Sequence, residues 1–525
     1  MSQDEMRLYG PPGTGKTTWV AKKAGEYAEK YGGDQVSLCS LTNTAVREVV
    51  GRNIPIPTKN ISTLHARCKR AMFAGAPAES DVAEFAEVHP EWAGTTGPVP
   101  RLPKHMLRKV KDKSTQNENL LAGNQVSLFE HAQILRQKLI PRDKWPVPIR
   151  RFSDAWEGWC RDTGRMDFTG WLEAALESRI LPPQKVVFVD EAQDHTPLQL
   201  AVIRSWETDK LIMVGDDDQC CYEWSGSVPD EFFQSQENLT GEKVLEQSYR
   251  VPEAVWTIAN KMVQRISSRK EKVYKPRPFK GSVHRLRYTF EDAFYDGILP
   301  DGFLENPDET YMIIGSCGYM VNGIIDALKA QCIPFHNPYR TSMARWNPLR
   351  PFMRCIETFC ISDRLWTGRE AIIWADTLRA QGTFKPRMKQ RFLDFCNSID
   401  REELEPSDLE KYFLPRTRDM AMRRDIRLIR EGQSNDQGVD WDYAWDVFES
   451  GDWDPRVIVG TIHSVKGGEA DNVYIFPDLS NAGLNDYMGH GADRVHRLFY
   501  VGVTRAKKNL YLCSQSDAYK TIRWV

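Results

Sequence analysis

Short apolar runs that stop abruptly at glycine, hydroxyl or acidic residues set the rhythm of this chain. Met6-Arg7-Leu8-Tyr9 reads as a strand and runs into Gly10-Pro11-Pro12-Gly13-Thr14-Gly15-Lys16-Thr17, after which Thr18 to Ala24 continues as a helix. Gln35 to Leu41 alternates as a second strand and ends in Thr42-Asn43-Thr44-Ala45, whose small polar residues open a helix over Val46 to Val50. A third unit begins near Ile61-Ser62-Thr63-Leu64-His65. Strands alternating with helices predict an α/β protein built on parallel sheets, and polar side chains at its strand ends face the ligand side.

The rhythm stops between about 70 and 180, where the chain becomes Pro-punctuated and mainly helical, as an inserted domain would be. Its basic cluster, Lys104, Arg108, Lys109, Lys111 and Lys113, reads as a solvated helix face before it reads as a phosphate contact. The rhythm returns at Val186 to Val189, which run straight into Asp190-Glu191-Ala192-Gln193-Asp194. A further strand, Leu211 to Val214, delivers Gly215-Asp216-Asp217-Asp218-Gln219, followed by Tyr222 and Trp224, then Gln247-Ser248-Tyr249-Arg250 and a helix after Pro252. A second α/β section starts at 276 with the strand Tyr311 to Ile314 and a helix from Val321 to Gln331. A second helical insertion, about 345 to 454, carries Arg416, Arg418, Arg423, Arg424, Arg427 and Arg430. The α/β pattern then resumes through Val457 to Glu469, the strand Val473 to Phe476, the run Arg497 to Lys508 and the last strand Leu510 to Leu512. The expected domains are 1–70 with 181–275, an insertion 71–180, then 276–344 with 455–525, and an insertion 345–454.

A chain of 525 residues with 27% charged residues and a net charge of -2 carries no global field that announces nucleic acid, so any such surface is a local groove. The 11 cysteines are scattered without a C-x-x-C spacing, which points away from a zinc site or a disulfide framework and towards a reducing compartment. No leader-like start and no long apolar run is present, so the expected location is cytoplasmic, in a bacterial or phage-infected cell.

The chemistry begins with the first loop. Gly10, Gly13 and Gly15 allow a tight turn whose backbone N–H groups converge on an anion. Pro11, Pro12, Thr14 and Thr18 complete the cradle, Lys16 can reach the β- and γ-phosphates, and the Thr17 hydroxyl can sit on Mg²⁺. Asp190 at a buried strand end would hold that metal, and Glu191 would orient and deprotonate an attacking water. Gln219 could hydrogen-bond a γ-phosphate, and Tyr222 with Trp224 could stack bases. Taken alone, Thr42, Asn43 and His65 read as ordinary helix capping.

The ordered set resembles a superfamily 1 DNA helicase of the UvrD/Rep/PcrA type, in a compact variant. The motifs that carry the likeness are the phosphate loop, Thr42 to Ala45, Thr63-Leu64-His65, Asp190 to Asp194, Gly215 to Trp224, Gln247 to Arg250, Thr461 to Glu469 and Val503-Thr504-Arg505-Ala506. The resemblance implies two RecA-like domains, 1A and 2A, each with a mainly helical insertion, and ATP with Mg²⁺ as cofactors. It places Lys16, Thr17, Asp190, Glu191 and Gln219 in the hydrolytic centre, Tyr249 on adenine, Arg250 and Arg505 as arginine fingers and Glu469 on the ribose. It puts Thr42, Asn43, Thr63, His65, Thr461 and His463 on the DNA backbone, and Tyr222 and Trp224 on bases. The implied activity is 3'-to-5' translocation and unwinding in replication, repair or recombination, acting as a monomer on single-stranded DNA and on single-strand/duplex junctions, with replication or repair proteins as partners.

The sequence departs from the family in several places. The family's upstream adenine-reading glutamine has no counterpart, which shifts base selectivity towards Tyr249. Leu41 and Ser225 stand where an aromatic and an arginine are usual. The stretch between Lys466 and Arg505 is short for a β-hairpin that splits duplex, and Tyr487 is its pin candidate. Two other readings stay open: a translocase that strips proteins from a strand without separating duplex, and a nucleotide-controlled switch.

Overall fold

The computed structural model describes residues 3–41, 54–72, 76–92, 127–179, 184–234, 236–289, 308–340, 344–350, 366–376, 378, 380–398, 403–404, 407–422, 441–451 and 455–524. They form two compact units, Met1–Ser282 with Ser480–Thr504, and Val283–Leu479 with Arg505–Trp524. Among the described residues no helix is long and apolar enough to cross a membrane.

The first unit is built on a six-stranded sheet. Its strands are β1 (Asp4–Tyr9), β2 (Val36–Ser40), β3 (Ile61–Thr63), β4 (Val186–Val189), β5 (Lys210–Gly215) and β6 (Leu239–Val244), in the order β3-β2-β4-β5-β1-β6. Every pairing in it is parallel. The period-2 alternation of side chains divides each central strand between two cores. Tyr9, Cys39, Val187, Val189, Leu211 and Met213 enter one, with Trp171 and Leu200. Leu8, Val36, Leu38, Val186, Phe188, Ile212 and Val214 enter the other, with Val20 and Ala24 of the helix Lys16–Tyr31. A sheet covered on both faces explains why β4 reads as an unbroken apolar run. Strand β6 was not legible in the sequence because Thr240, Glu242 and Lys243 make it a polar edge. A parallel pair, β7 (Gln247–Pro252) and β8 (Lys275–Arg277), flanks the helix Glu253–Val263.

The described part of the first insertion holds an aromatic core of its own, in which Phe85, Phe152, Trp156 and Trp159 pack edge-on. Beside it Arg136 forks onto Asp167 at 2.5 and 3.2 Å and onto Glu173 at 3.0 and 2.6 Å, while Trp156 donates to Asp167 at 2.8 Å. Trp171, Leu172 and Ala175 tie it into the core of the sheet, and Gln137 adds a polar tie by accepting from the Thr196 hydroxyl at 2.6 Å, in the capping box of the helix Pro197–Arg204.

The second unit contains β9 (Ser282–Arg285), β10 (Tyr311–Gly315), β11 (Phe335–His336), a small antiparallel pair β12 (Trp366–Thr367) and β13 (Glu403–Leu404), then β14 (Val457–Thr461), β15 (Ala470–Ile475) and β16 (Ala506–Leu512). Its main sheet runs β11-β14-β10-β15-β16-β9. One core joins this sheet to its insertion, so that Trp374, Phe384, Phe392 and Phe413 are continuous with Tyr311, Ile313, Val457 and Val459. The molecule therefore has the two-domain α/β architecture of RecA-like proteins.

The segment Ser480–Thr504 groups with the first unit, although by sequence it continues the second α/β section. It is also helical where a hairpin had been sought: Asn481–Met488 is a helix capped by Ser480, and Tyr487 packs its ring edge-on against His496, 5.6 Å away. Tyr487 is thus not the tip of a β-hairpin. The small residues there bound helices: Ser480 and Gly491 stand at N-caps and Gly489 at a C-cap.

Candidate nucleotide and nucleic-acid site

The first unit gathers its polar residues at the carboxyl ends of β1, β4 and β5. Gly10 follows β1 and bridges two parts of this crest: its N–H donates to the Gly215 carbonyl at 2.9 Å, and its own carbonyl accepts from the Lys16 ammonium at 2.7 Å. Thr14 closes the loop with both its N–H and its hydroxyl on the Pro11 carbonyl, at 3.2 and 2.8 Å. Gly13 adopts φ 70°, and a side chain there would put Cβ 2.3 Å from the Cβ of Arg250. That close approach is used: Tyr249 N–H donates to Gly13 C=O at 2.8 Å, and the Ser248 hydroxyl donates to Pro12 C=O at 2.8 Å. The structure thus brings Tyr249 and Arg250 onto the phosphate loop, with the Tyr249 ring 70% exposed and available for stacking.

Asp190 and Glu191 emerge from β4, Asp190 buried and Glu191 in the left-handed region at φ 51°. A non-glycine residue held there stores strain, which the surroundings must over-determine. Here they do. Glu191 N–H donates to Asp190 Oδ1 at 3.0 Å, and Gln193 donates to Glu191 Oε2 at 2.6 Å while accepting from Asp216 N–H at 2.9 Å. Gly215 makes room for this, since a Cβ there would lie 2.3 Å from Gln193 Oε1. Gln219 in turn donates to Asp216 Oδ2 at 2.7 Å. One run of contacts therefore joins Lys16, Gly10, Gly215, Gln193, Glu191, Asp216 and Gln219. The signal of Gln193, a glutamine between two carboxylates at a strand end, needs the second loop to become visible.

Two cations that answer these carboxylates have no signal in the motifs. Lys272 places its ammonium 3.1, 2.5 and 2.9 Å from the carboxylates of Asp216, Asp217 and Asp218, and Arg269 forks onto Asp218 at 2.8 and 2.7 Å. Burial pushes the Asp217 carboxyl up to about 6, with Lys272 opposing and the two neighbouring carboxylates reinforcing the shift. Burial lowers the fully enclosed His195 to about 4, with His65 acting in the same sense. It raises the Cys39 thiol to about 11, so this thiol at the end of β2 stays protonated.

Around this centre, Thr63 caps the helix Leu64–Ala71 by accepting from Ala66 N–H at 3.3 Å, and His65 meets the ring of Phe168 edge-on at 5.9 Å. Tyr222 and Trp224 stand on a short turn with ring centroids 6.4 Å apart, Trp224 being 57% exposed. Thr42 and Asn43, the cluster Lys104 to Lys113, and Arg423 to Arg430 lie outside the described residues. Arg418 does not present a free cation, because it pairs with Glu410 at 2.5 Å.

In the second unit, Thr461 ends β14 and its hydroxyl accepts from Ser464 N–H at 3.3 Å. His463 is half-buried and Glu469 exposed. Arg505 is buried, and its guanidinium donates to the Gly468 carbonyl at 3.1 Å, holding the loop that carries Glu469.

The donor set fits a nucleotide and a hard divalent cation. Gly13 and Gly15 keep the phosphate cradle free of side chains, and Thr17 and Asp190 offer the oxygen ligands that Mg²⁺ prefers beside phosphates.

Comparison with known proteins agrees with this geometry. An AAA domain family model matches residues 1–225, and a UvrD-like helicase C-terminal domain model matches residues 446–517. Together the two matches identify the chain as UvrD-like, in line with the superfamily 1 helicase pattern of its motifs. Within that family it is similar to the candidate ATP-dependent DNA helicase YjcD of Bacillus subtilis (strain 168), 20% identical over 76% of this chain and 62% of the relative. It is also similar to DNA helicase II of Escherichia coli (strain K12), 30% identical over 24% of this chain and 19% of that protein. The chain thus spans less than two thirds of either relative. The arterivirus nonstructural protein 10 helicase matches over 97% of this chain and 59% of its own at 11% identity, with a TM-score of 0.33, too distant a likeness to carry an inference.

Proposed function

We propose that this protein is an ATP-dependent DNA helicase that translocates 3' to 5' along single-stranded DNA. The observation that carries the reading is the hydrogen-bonded run from Lys16 to Gln219, with Tyr249 and Arg250 on the same loop. In this reading Lys16 and the loop N–H groups bind the phosphates, and Glu191 takes the proton of the attacking water from a conformation its neighbours hold fixed. Arg250 stabilises charge on the transferred group. Mg²⁺, on Thr17 and Asp190, would supply charge neutralisation at the phosphates. Glu469 and Arg505 are proposed as nucleotide-facing residues on the family resemblance alone. Tyr222 and Trp224 are proposed to stack on bases, and Thr42, Asn43, Thr63, His65, Thr461 and His463 to hold the strand backbone. Work as a monomer, in the cytoplasm, with replication or repair partners, belongs to the same proposal.

A second reading is favoured by one observation, the helix Asn481–Met488 in place of a hairpin: a translocase that clears proteins from a strand without efficient unwinding. Strand separation on duplexes with a 3' or a 5' tail, with ATP turnover followed in the same tubes, tests both. Unwinding of the 3'-tailed substrate alone supports the helicase. Strand-stimulated turnover without separation supports the translocase. Lys16→Ala abolishes turnover, and Glu191→Gln stops it while nucleotide binding persists; normal turnover in either variant breaks the site assignment.

A further inference from the structure

Residues 267–272 tie together two parts of the first unit that the motifs treat separately. At one end of this strap, Ser267 N–H and hydroxyl and Ser268 N–H donate to Asp493 at 2.9, 2.6 and 3.0 Å, which fastens the strap to the helix Ala492–Val503. At the other end Arg269 and Lys272 clamp Asp216 to Asp218, and Lys270 N–H donates to Asp217 at 2.8 Å. Arg497, on the same helix as Asp493, donates one arm of its guanidinium to the Ser268 carbonyl and the other to Glu223 at 3.0 Å. Glu223 sits between Tyr222 and Trp224.

The loop 216–225 is therefore gripped at both ends: at its carboxylates by Lys272 and Arg269 of the strap, and at its aromatic tip by Arg497 of the helix to which the strap is fastened. Its middle is packed, with Cys220 and Cys221 buried. The Arg497 side chain is 3% exposed and Glu223 18%, so the pair is shielded from the water and salt that weaken surface ion pairs. A loop held this way cannot absorb a displacement at its tip by flexing.

We infer that Glu223 and Arg497 are positioning residues that make this loop respond as one body, so that a nucleic-acid strand seated on Tyr222 and Trp224 is felt at Gln219. The inference rests on the proposed function above. Gln219 keeps its own anchor, Asp216 with Lys272, when Glu223 is altered, so strand-independent turnover is untouched by the change.

The test is Glu223→Gln, which removes the charge and keeps the shape. ATP turnover is measured without and with saturating polythymidine oligonucleotide, and strand affinity by fluorescence anisotropy. Basal turnover stays within about twofold and strand affinity within about threefold, while the ratio of stimulated to basal turnover falls about tenfold, inside the range of measured site–site couplings. Arg497→Lys, which keeps a cation for Glu223 but loses the fork to Ser268, gives an intermediate ratio. Ser225→Ala, a change in the same turn that leaves the ion pair intact, gives the unmodified ratio. An unchanged ratio in Glu223→Gln overturns the inference, and so does a loss that higher strand concentration restores, since that is affinity and not coupling. If the unmodified protein shows ATP turnover that no strand stimulates, the proposed function itself fails and takes this inference with it.

Discussion

The two parallel sheets finish their strands in opposite chemistries. In the first unit the crest is charged and enclosed: Asp190, Asp216, Asp217 and Asp218 are all buried, and Gln193, Lys272 and Arg269 come from elsewhere in the chain to satisfy them. In the second unit neutral groups hold the crest: Asp478, beyond β15, is buried on the N–H groups of Ser516 and Asp517, and β14 ends in an amide and hydroxyl network. Asn337 donates to Val459 C=O at 2.7 Å and to the Ser464 hydroxyl at 3.2 Å, and accepts from Tyr339 N–H at 3.1 Å, while Ser464 donates to Thr461 C=O at 2.7 Å. Buried carboxylates are costly without counter-charges, and those counter-charges make the crest sensitive to any further charge, such as a phosphate, that arrives. Amide and hydroxyl networks hold geometry at little electrostatic cost.

The sharpest way to break this contrast is Lys272→Met. Leaving three buried carboxylates with Arg269 alone destabilises the first unit by about 3 to 5 kcal/mol. Hydrogen exchange resolved by segment reads it out: protection falls at β1, β4 and β5 and holds at β10, β14 and β15. Equal loss in both sheets would mean that the charged crest is not a local device. Asn337→Ala is the mirror experiment, with about 3 kcal/mol lost at the second crest because the partners of its amide stay buried and unpaired. A much smaller loss would show that the neutral network is wet.

The smallest effect concerns pH. His195 is neutral in the folded chain down to about 4 and would take its proton at about 6.5 when unfolded. Between those values the unfolded state binds more protons, so stability falls as pH drops through the window and levels off below it. His195→Leu therefore flattens the decline by about 2 kcal/mol between pH 7 and 5. Asp217 acts in the opposite sense over part of that range, because its folded carboxyl holds a proton longer than an unfolded one. The informative quantity is thus the difference between variant and unmodified protein in urea titrations at the two pH values. Parallel curves would mean that His195 is not buried as a neutral ring.

Much of the first crest was legible because each piece is local. A phosphate cradle is made by consecutive backbone N–H groups, so Gly10 to Thr17 carries its own geometry in its spacing. An apolar strand ending in carboxylates, such as Val186 to Asp190, declares both its burial and its chemistry. The second insertion's shared core and the polar edge strand β6 were harder, since neither has a period that separates it from its neighbours. Thr63 enters from the sequence only as a nucleic-acid contact implied by the resemblance, which remains a proposal; its part as a helix cap is displayed by the structure.

Other features required the folded chain. Gln193 acquires its role only when Asp216 is brought to it, and Lys272 only when the strap returns to the end of β5. Arg497 lies in a run that by sequence belongs to the second α/β section, yet its side chain meets Glu223 and Ser268 in the first unit. Sequence by itself determined the buried apolar strands, the phosphate loop and the carboxylates, because these depend on neighbours along the chain. Tertiary structure decided which cations and amides answer those carboxylates, because a buried charge is satisfied by whatever the fold brings within hydrogen-bond reach, however far away it lies in sequence.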